Sequence, residues 1–378
     1  PYRAWNGSQM EDRVCTNYEI VTADTEIFEG GKWYVVTGTV ERGTITVNDT
    51  AHLILCDGAR LTCDGAKPNA YHCGEPGILL NDPHTLSVYG QAEGTGTLEA
   101  LGAEDCAGIG SGAGDSWTAG GLTVDGGVVL ATGKYYGAGI GGSNTFWWKD
   151  YGNGGTVTVN GGRVTANGGP FAAGIGGGSQ GRGAAVTIRG GTVASQGGQG
   201  GFGHGDGYGV SDNGSLTIDG GSVKAQTAAG LAKNSTPTNV YCVTAKCEGL
   251  EGLVSLEGLE GYGTNDISAI NGWVYLWLPD GTHRFTLSDG TTTYRYYADV
   301  RGRAITVEPL APIGFFVNGV DIGDTPSGSG WSYTRSTRVL MLDNVGPYVL
   351  SGSATNDEVQ VWATTDAARV VLSNMAVF

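Results

Sequence analysis

Three aspartates, Asp115, Asp150 and Asp206, lie in segments that recur along the chain among aromatic and polar residues. Carboxylates gathered in this way act as general acid and base, or as nucleophile, in glycoside hydrolysis, and the gap between two of them sets the stereochemical outcome. The same oxygens suit Ca²⁺, which takes several such ligands. For any one of them alone a solvated turn is the ordinary reading, because Asp is a common turn residue. The segments 111–121, 142–155, 177–184 and 204–215 also carry Trp117, Trp147, Trp148, Tyr151, Arg182, His204 and Tyr208. Aromatic faces stack on the apolar C–H faces of sugar rings while Arg and carboxylates bond their hydroxyls, so this mixture fits a glycan groove. The plainer alternative is that the rings only cover the edge of the fold. His204 close to Asp206 would suit proton transfer, although glycines surround both. No GxSxG, HExxH or P-loop string occurs, which disfavours serine hydrolase, zincin and nucleotide chemistry.

What must position these segments is a repeat. An apolar-polar-apolar triplet, a glycine turn and a second alternating run begin at Leu53, Leu86, Leu122, Val157, Val186 and Leu216. A second marker runs in phase, as Ala107-Gly108-Ile109-Gly110, Ala138-Gly139-Ile140-Gly141, Ala173-Gly174-Ile175-Gly176 and, in weaker form, Gly201-Phe202-Gly203. A near-constant period of this size is the signature of a solenoid. Alternation sends Leu122 and Val124, and their counterparts in each copy, into a shared core beside the marker isoleucines. Paired glycines such as Gly126-Gly127 and Gly161-Gly162 read as corners, not as phosphate loops, because no helical pattern follows them. The four polar segments then follow the markers and stack along one edge.

Composition narrows the class. The 69 glycines among 378 residues follow no G-X-Y triplet, which excludes collagen, and 40% hydrophobic against 15% charged residues excludes a disordered chain. A formal charge of -16 disfavours nucleic acid, anionic membranes and polyanionic glycans, but leaves neutral sugars. No apolar run approaches the eighteen or so residues of a membrane span, and no signal peptide is read, so no membrane insertion is expected. Seven cysteines without a CxxC, and scattered histidines, give no metal site of the zinc type. A disulfide is expected between Cys242 and Cys247 or among the first five cysteines, since spacing leaves the pairing open.

The fold class read from these patterns is all-β: a right-handed parallel β-helix, then a small antiparallel β-module and the start of a further β unit. The divisions are an N-terminal cap over 1–35, with Trp5, Trp33 and Tyr34 covering the first coil, and the β-helix over 36–247. A linker over 248–271, the β-module over 272–312 and a partial second β-domain over 313–378 complete the chain. A column of Thr46, Ser87, Thr123, Thr158, Thr187 and Thr217 falls at the outward middle of the triplets, where hydrogen-bonded threonine stacking is the ordinary account and ice binding a remote one.

The in-phase AGIGG and TVxxGG strings resemble the glycine-rich β-helix domains of large bacterial surface proteins described as carbohydrate-binding and, more distantly, the pectate-lyase-like superfamily. The resemblance covers about residues 36–235 and no catalytic motif of any one family. It implies a polysaccharide or glycan partner and a secreted or cell-surface setting, with the chain a monomer inside a larger multidomain protein. The expectation is a glycan-binding module with no cofactor beyond the Ca²⁺ option. A glycoside hydrolase or lyase using Asp115, Asp150 and Asp206 is the alternative, and a structural stalk or adhesin the third.

Overall fold

Alternating side chains and glycine corners leave the chain one economical course, which is to wind and to bury each inward residue on its copy in the next coil. The computed structural model describes residues 1–65, 74–112, 118–144, 152–205, 212–225, 232–250, 252–310, 315–323, 327–334, 337–344, 346–352, 359–365 and 368–373. It shows a right-handed parallel β-helix with three faces, sheets of seven, nine and seven strands. Face 1 is built of two-residue marker strands such as Ile109–Gly110 and Ile140–Gly141. Face 2 holds the triplets, such as Gly121–Val124 and Thr156–Val159, and face 3 the runs Val128–Thr132 and Arg163–Asn167. Their inward ladders, among them Leu122, Val157, Val186 and Leu216 on face 2 and Ile109, Ile140 and Ile175 on face 1, form one continuous core.

The marker glycine has a backbone reason. Gly141 sits at φ +137°, and a Cβ there would strike the Gly176 carbonyl oxygen of the next coil. Any side chain would therefore push adjacent coils away from each other where their backbones are in contact.

Pairing corrects the first triplet. Ala51, not Leu53, pairs with Leu86, because Leu53 lies opposite Val88. The outward column on face 2 consequently runs His52, Ser87, Thr123, Thr158, Thr187 and Thr217. Thr46 belongs to face 1, opposite Leu79.

The N-terminal aromatics divide their work. Tyr34 is buried against Phe28 at 4.5 Å between centroids and fills the first coil, as expected. Trp33 points outward instead and stacks on His52 at 4.3 Å. Trp5 lies in a hairpin, Tyr2–Trp5 with Met10–Arg13, whose Tyr2 and Ala4 cover Val35, Ile54 and Tyr89 on the outside of the helix. The hairpin thus shields a side of the helix and not its open end.

The far end is plugged by Trp277, which joins the helix core and donates its Nε1–H to the Val223 carbonyl at 2.9 Å. Residues 248–271 are packed, with Leu250, Val254, Leu256 and Ile267 inside a second core. That core is completed by the antiparallel pair Tyr241–Lys246 with Trp273–Leu278 and the sheet containing Gly281–Ser288, Thr293–Arg301 and Ala304–Leu310. The expected Cys242–Cys247 disulfide does not form: Cys242 is in the extended strand Tyr241–Lys246 and Cys247 directly follows it. Five residues of strand hold their Cα atoms about 17 Å apart, beyond disulfide reach. In the last unit Val339 pairs in parallel with Gln360 and Tyr348 with Val370, which begins a second, shorter coil stack.

Candidate functional site

Two edges of the β-helix differ in what covers them. At the corner between faces 2 and 3 the paired glycines turn N–H groups outward, and residues 263–266 accept them coil by coil. Gly221 N–H bonds the Gly263 carbonyl at 2.8 Å, Gly191 N–H that of Asn265 at 2.5 Å, and Gly162 N–H the Asp266 Oδ2 at 2.9 Å. Asp266 Oδ1 also takes the Arg3 guanidinium at 3.0 Å. On the coil before, Asp125 accepts Trp5 N–H at 2.9 Å and the Asn160 amide at 2.8 Å, and Asn160 Oδ1 in turn accepts Arg189 Nη1 at 3.2 Å. Burial raises the Asp125 carboxyl above its ordinary value, opposed by those two donors. A cavity of about 300 Å³ lies here, lined by Arg3, Asp125, Arg163 and Asp266. Each oxygen of its two aspartates already holds one region of the protein to another, so this cleft is a clamp and not an acid-base pair.

The opposite edge, between faces 1 and 2, is the one the polar segments occupy. Their roots are pinned from within: the buried Ser143 hydroxyl accepts Ala107 N–H at 2.8 Å and donates to the Ser111 carbonyl, while Ser143 N–H donates to the Ser111 hydroxyl oxygen at 3.1 Å. A serine one or two residues after the marker, Ser111 and Ser143, was the available sequence signal for this pair, and sequence reasoning missed it. Of the sequence-chosen residues, Asp115, Trp117, Trp147, Trp148, Asp150, Tyr151, Asp206 and Tyr208 lie outside the described residues. The Ca²⁺ and acid-base readings rest on those aspartates. Arg182 is exposed, with its N–H on Asn153 Oδ1 at 3.0 Å and its carbonyl accepting Gly154 N–H at 2.9 Å. His204 donates Nδ1–H to the Gly205 carbonyl at 2.6 Å, which ties its ring to its own loop.

Along this edge, over face 2, runs a groove of about 620 Å³ lined by Asp82, Thr85, Thr118, Thr123, Thr156 and Ser215. It crosses five successive coils, so it is about 19 Å long at the inter-strand spacing. Its floor is low because the residues in register on it are Thr85, Gly121, Thr156, Ala185 and Ser215. The threonine column beside them is not hydrogen-bonded internally. Among the described residues the hydroxyls of Thr123, Thr158, Thr187 and Thr217 have no protein partner and stay available. Gly154, Gly183 and Gly214, from the exits of three polar segments, form its bank.

A further cluster escaped the sequence reading. Tyr135, Tyr136 and Phe171 meet at the corner between faces 3 and 1, with centroids 4.5 to 5.3 Å apart. The adjacent Tyr135-Tyr136 pair one coil from Phe171 was its only sequence signal.

Three parallel sheets, stacked coils and a loop-bearing edge define a parallel β-helix repeat protein. A family model for the beta helix repeat matches residues 122–144 and 157–179, two successive coils taken from face 2 round to the roots of the polar segments. No curated protein and no solved structure matches the chain. At most, such a repeat marks a carbohydrate-related or surface protein.

Proposed function

We propose that this protein is an extracellular glycan-binding module, one of several in a larger surface protein, that holds a neutral polysaccharide chain along the face 2 groove. The observation that carries this reading is the groove itself, which is open, about 19 Å long by coil spacing and floored by small residues beside unbonded threonine hydroxyls. An extended polymer of hydroxyl-bearing rings matches that length and can bond those hydroxyls, whereas a compact ligand would leave most of them idle. The net charge of -16 favours a neutral chain over a polyanionic one. The described ends of segments 142–155, 177–184 and 204–215 form the groove bank at Gly154, Gly183 and Gly214.

The test is retention in gels containing xylan, mannan or β-glucan, with product analysis alongside. Wild type is retained by at least one of them, and Thr158→Trp, which removes a column hydroxyl and sets a bulky ring beside the floor, weakens that retention about tenfold, equivalent to one or two lost contacts. Absence of retention on all three, or a Thr158→Trp variant that binds like wild type, overturns the reading. Release of reducing ends, lost in Asp150→Asn, would replace it with glycoside hydrolysis.

A further inference from the structure

The groove over face 2 offers free hydrogen-bonding groups on one side only. Thr123, Thr158, Thr187 and Thr217 stand in register on four successive coils, each partly exposed, and their hydroxyls have no partner among the described residues. On the opposite bank the backbone is already paired. Ala119 N–H bonds the Asn153 carbonyl at 3.0 Å, Gly154 N–H that of Arg182 at 2.9 Å, and Gly183 N–H that of Asp212 at 2.8 Å. Between these walls the floor residues Gly121, Thr156, Ala185 and Ser215 lie two places earlier on each strand, and none is larger than threonine. The open hydroxyls therefore come one per coil, about 4.8 Å apart, over about 14 Å. Both ends of the column are marked. Ser87, next in register before Thr123, is hydrogen-bonded to Tyr89, which the N-terminal hairpin covers. Lys233 pairs beside Thr217 at the other end and puts an ammonium in place of a hydroxyl.

We infer that the ligand of this groove is a straight, ribbon-like glycan with equatorially linked and substituted pyranose rings, as in β-1,4-linked chains, lying along the solenoid axis with one ring per coil and four rings against the threonine column. The inference rests on the glycan reading above and gives it a linkage class. Equatorial bonds at both ends of a ring carry the chain forward by a whole ring at each step, a length close to the spacing of the coils. Axial or 1,3 linkages bend the chain at every step, so it would curl away from the column after one or two rings. Equatorial substitution also sets the hydroxyls round the rim of each ring and leaves C–H groups on its faces. The rim then meets the threonines while a face lies over the glycine and alanine of the floor.

An extended peptide fits neither feature. Its residues advance about 3.3 Å each, so its polar groups fall out of step with the coils. A peptide strand also needs a free sheet edge to bond, and the described bank residues have their N–H groups on one another's carbonyls.

The experiment is calorimetric titration of the whole chain with cello- and manno-oligosaccharides of increasing length, dimer to hexamer, and with maltohexaose and laminarihexaose, whose chains curl. Affinity for at least one straight series rises about three- to tenfold with each ring up to the tetramer, then changes less than about twofold between pentamer and hexamer. The two curled hexamers bind at least about tenfold more weakly than the straight one. Thr217→Val removes the last hydroxyl of the column and brings the plateau one ring earlier, whereas Thr217→Ser keeps that hydroxyl and restores the wild-type plateau. A plateau unmoved in Thr217→Val, or shortened equally in Thr217→Ser, overturns the register of one ring per coil. If xylan, mannan or β-glucan gels retain the protein but the curled hexamers bind as well as the straight ones, or no straight oligomer binds, the groove reading stands and the ribbon assignment is lost. Failure of every polysaccharide to retain the protein removes both.

Discussion

Two of the three edges of this β-helix have opposite fates. At the corner between faces 2 and 3, every coil from Gly162 to Gly221 has its outward N–H accepted by residues 263–266, and the N-terminal hairpin is tied on through Asp125 and Asp266. At the edge between faces 1 and 2, the hydroxyls of Thr123, Thr158, Thr187 and Thr217 beside the groove are left open, and the segments vary in length and side chain. The corner can be clamped because glycine pairs recur there at fixed geometry, so one extended segment can bond successive coils in step. The other edge cannot be clamped in this way, because nothing about its segments repeats except their roots. A solenoid thus separates assembly from recognition by edge, which is the usual division between scaffold and loop.

That contrast can be broken or sharpened by mutation, beginning with the clamped side. Trp277→Ala removes the plug of the helix core and is expected to cost about 3–5 kcal/mol, read as a lower midpoint in chemical denaturation. Polysaccharide retention should survive as long as the protein is folded; loss of both together would show that the two edges are not separable. Asp266→Ala leaves Arg3 and the Gly162 N–H without their acceptor and is expected to cost about 1–2 kcal/mol, with the N-terminal hairpin becoming protease-sensitive first. Uniform sensitivity along the chain would contradict the clamp.

The smallest effect is in pH. Because burial raises the Asp125 carboxyl in the folded protein, the unfolded chain releases its proton first as pH rises. Stability from this group is therefore greatest below the ordinary carboxylate range of about 4 and declines as pH climbs from there through the raised folded value. Asp125→Asn should flatten that decline in denaturation midpoints, and an unchanged slope would mean that the carboxyl is not the titrating group.

Much of this was legible in the chain itself. The three-strand coil, its core ladders and the structural role of the paired glycines follow from alternation and from a period that repeats, both of which are local properties. The first triplet was misplaced by two residues because Leu53 and Ala51 both satisfy the alternation, and only pairing with Leu86 and Val88 distinguishes them. Stretch 248–271 looked like a linker since its glycines interrupt every pattern, yet Asp266 and Tyr262 dock on the helix; Tyr262 O–H donates to the Gly221 carbonyl at 2.8 Å.

Sequence alone, then, determined the winding, the inward faces and the edge along which polar segments gather, because each coil repeats the same short-range pattern. Tertiary structure alone decided which edge was closed, that the hydroxyls of Thr123, Thr158, Thr187 and Thr217 stayed unbonded, and that Tyr135 and Tyr136 met Phe171 one coil on. Those facts join residues that lie from one coil to most of the chain apart in sequence, and stacking of coils, not spacing along the chain, sets their distances.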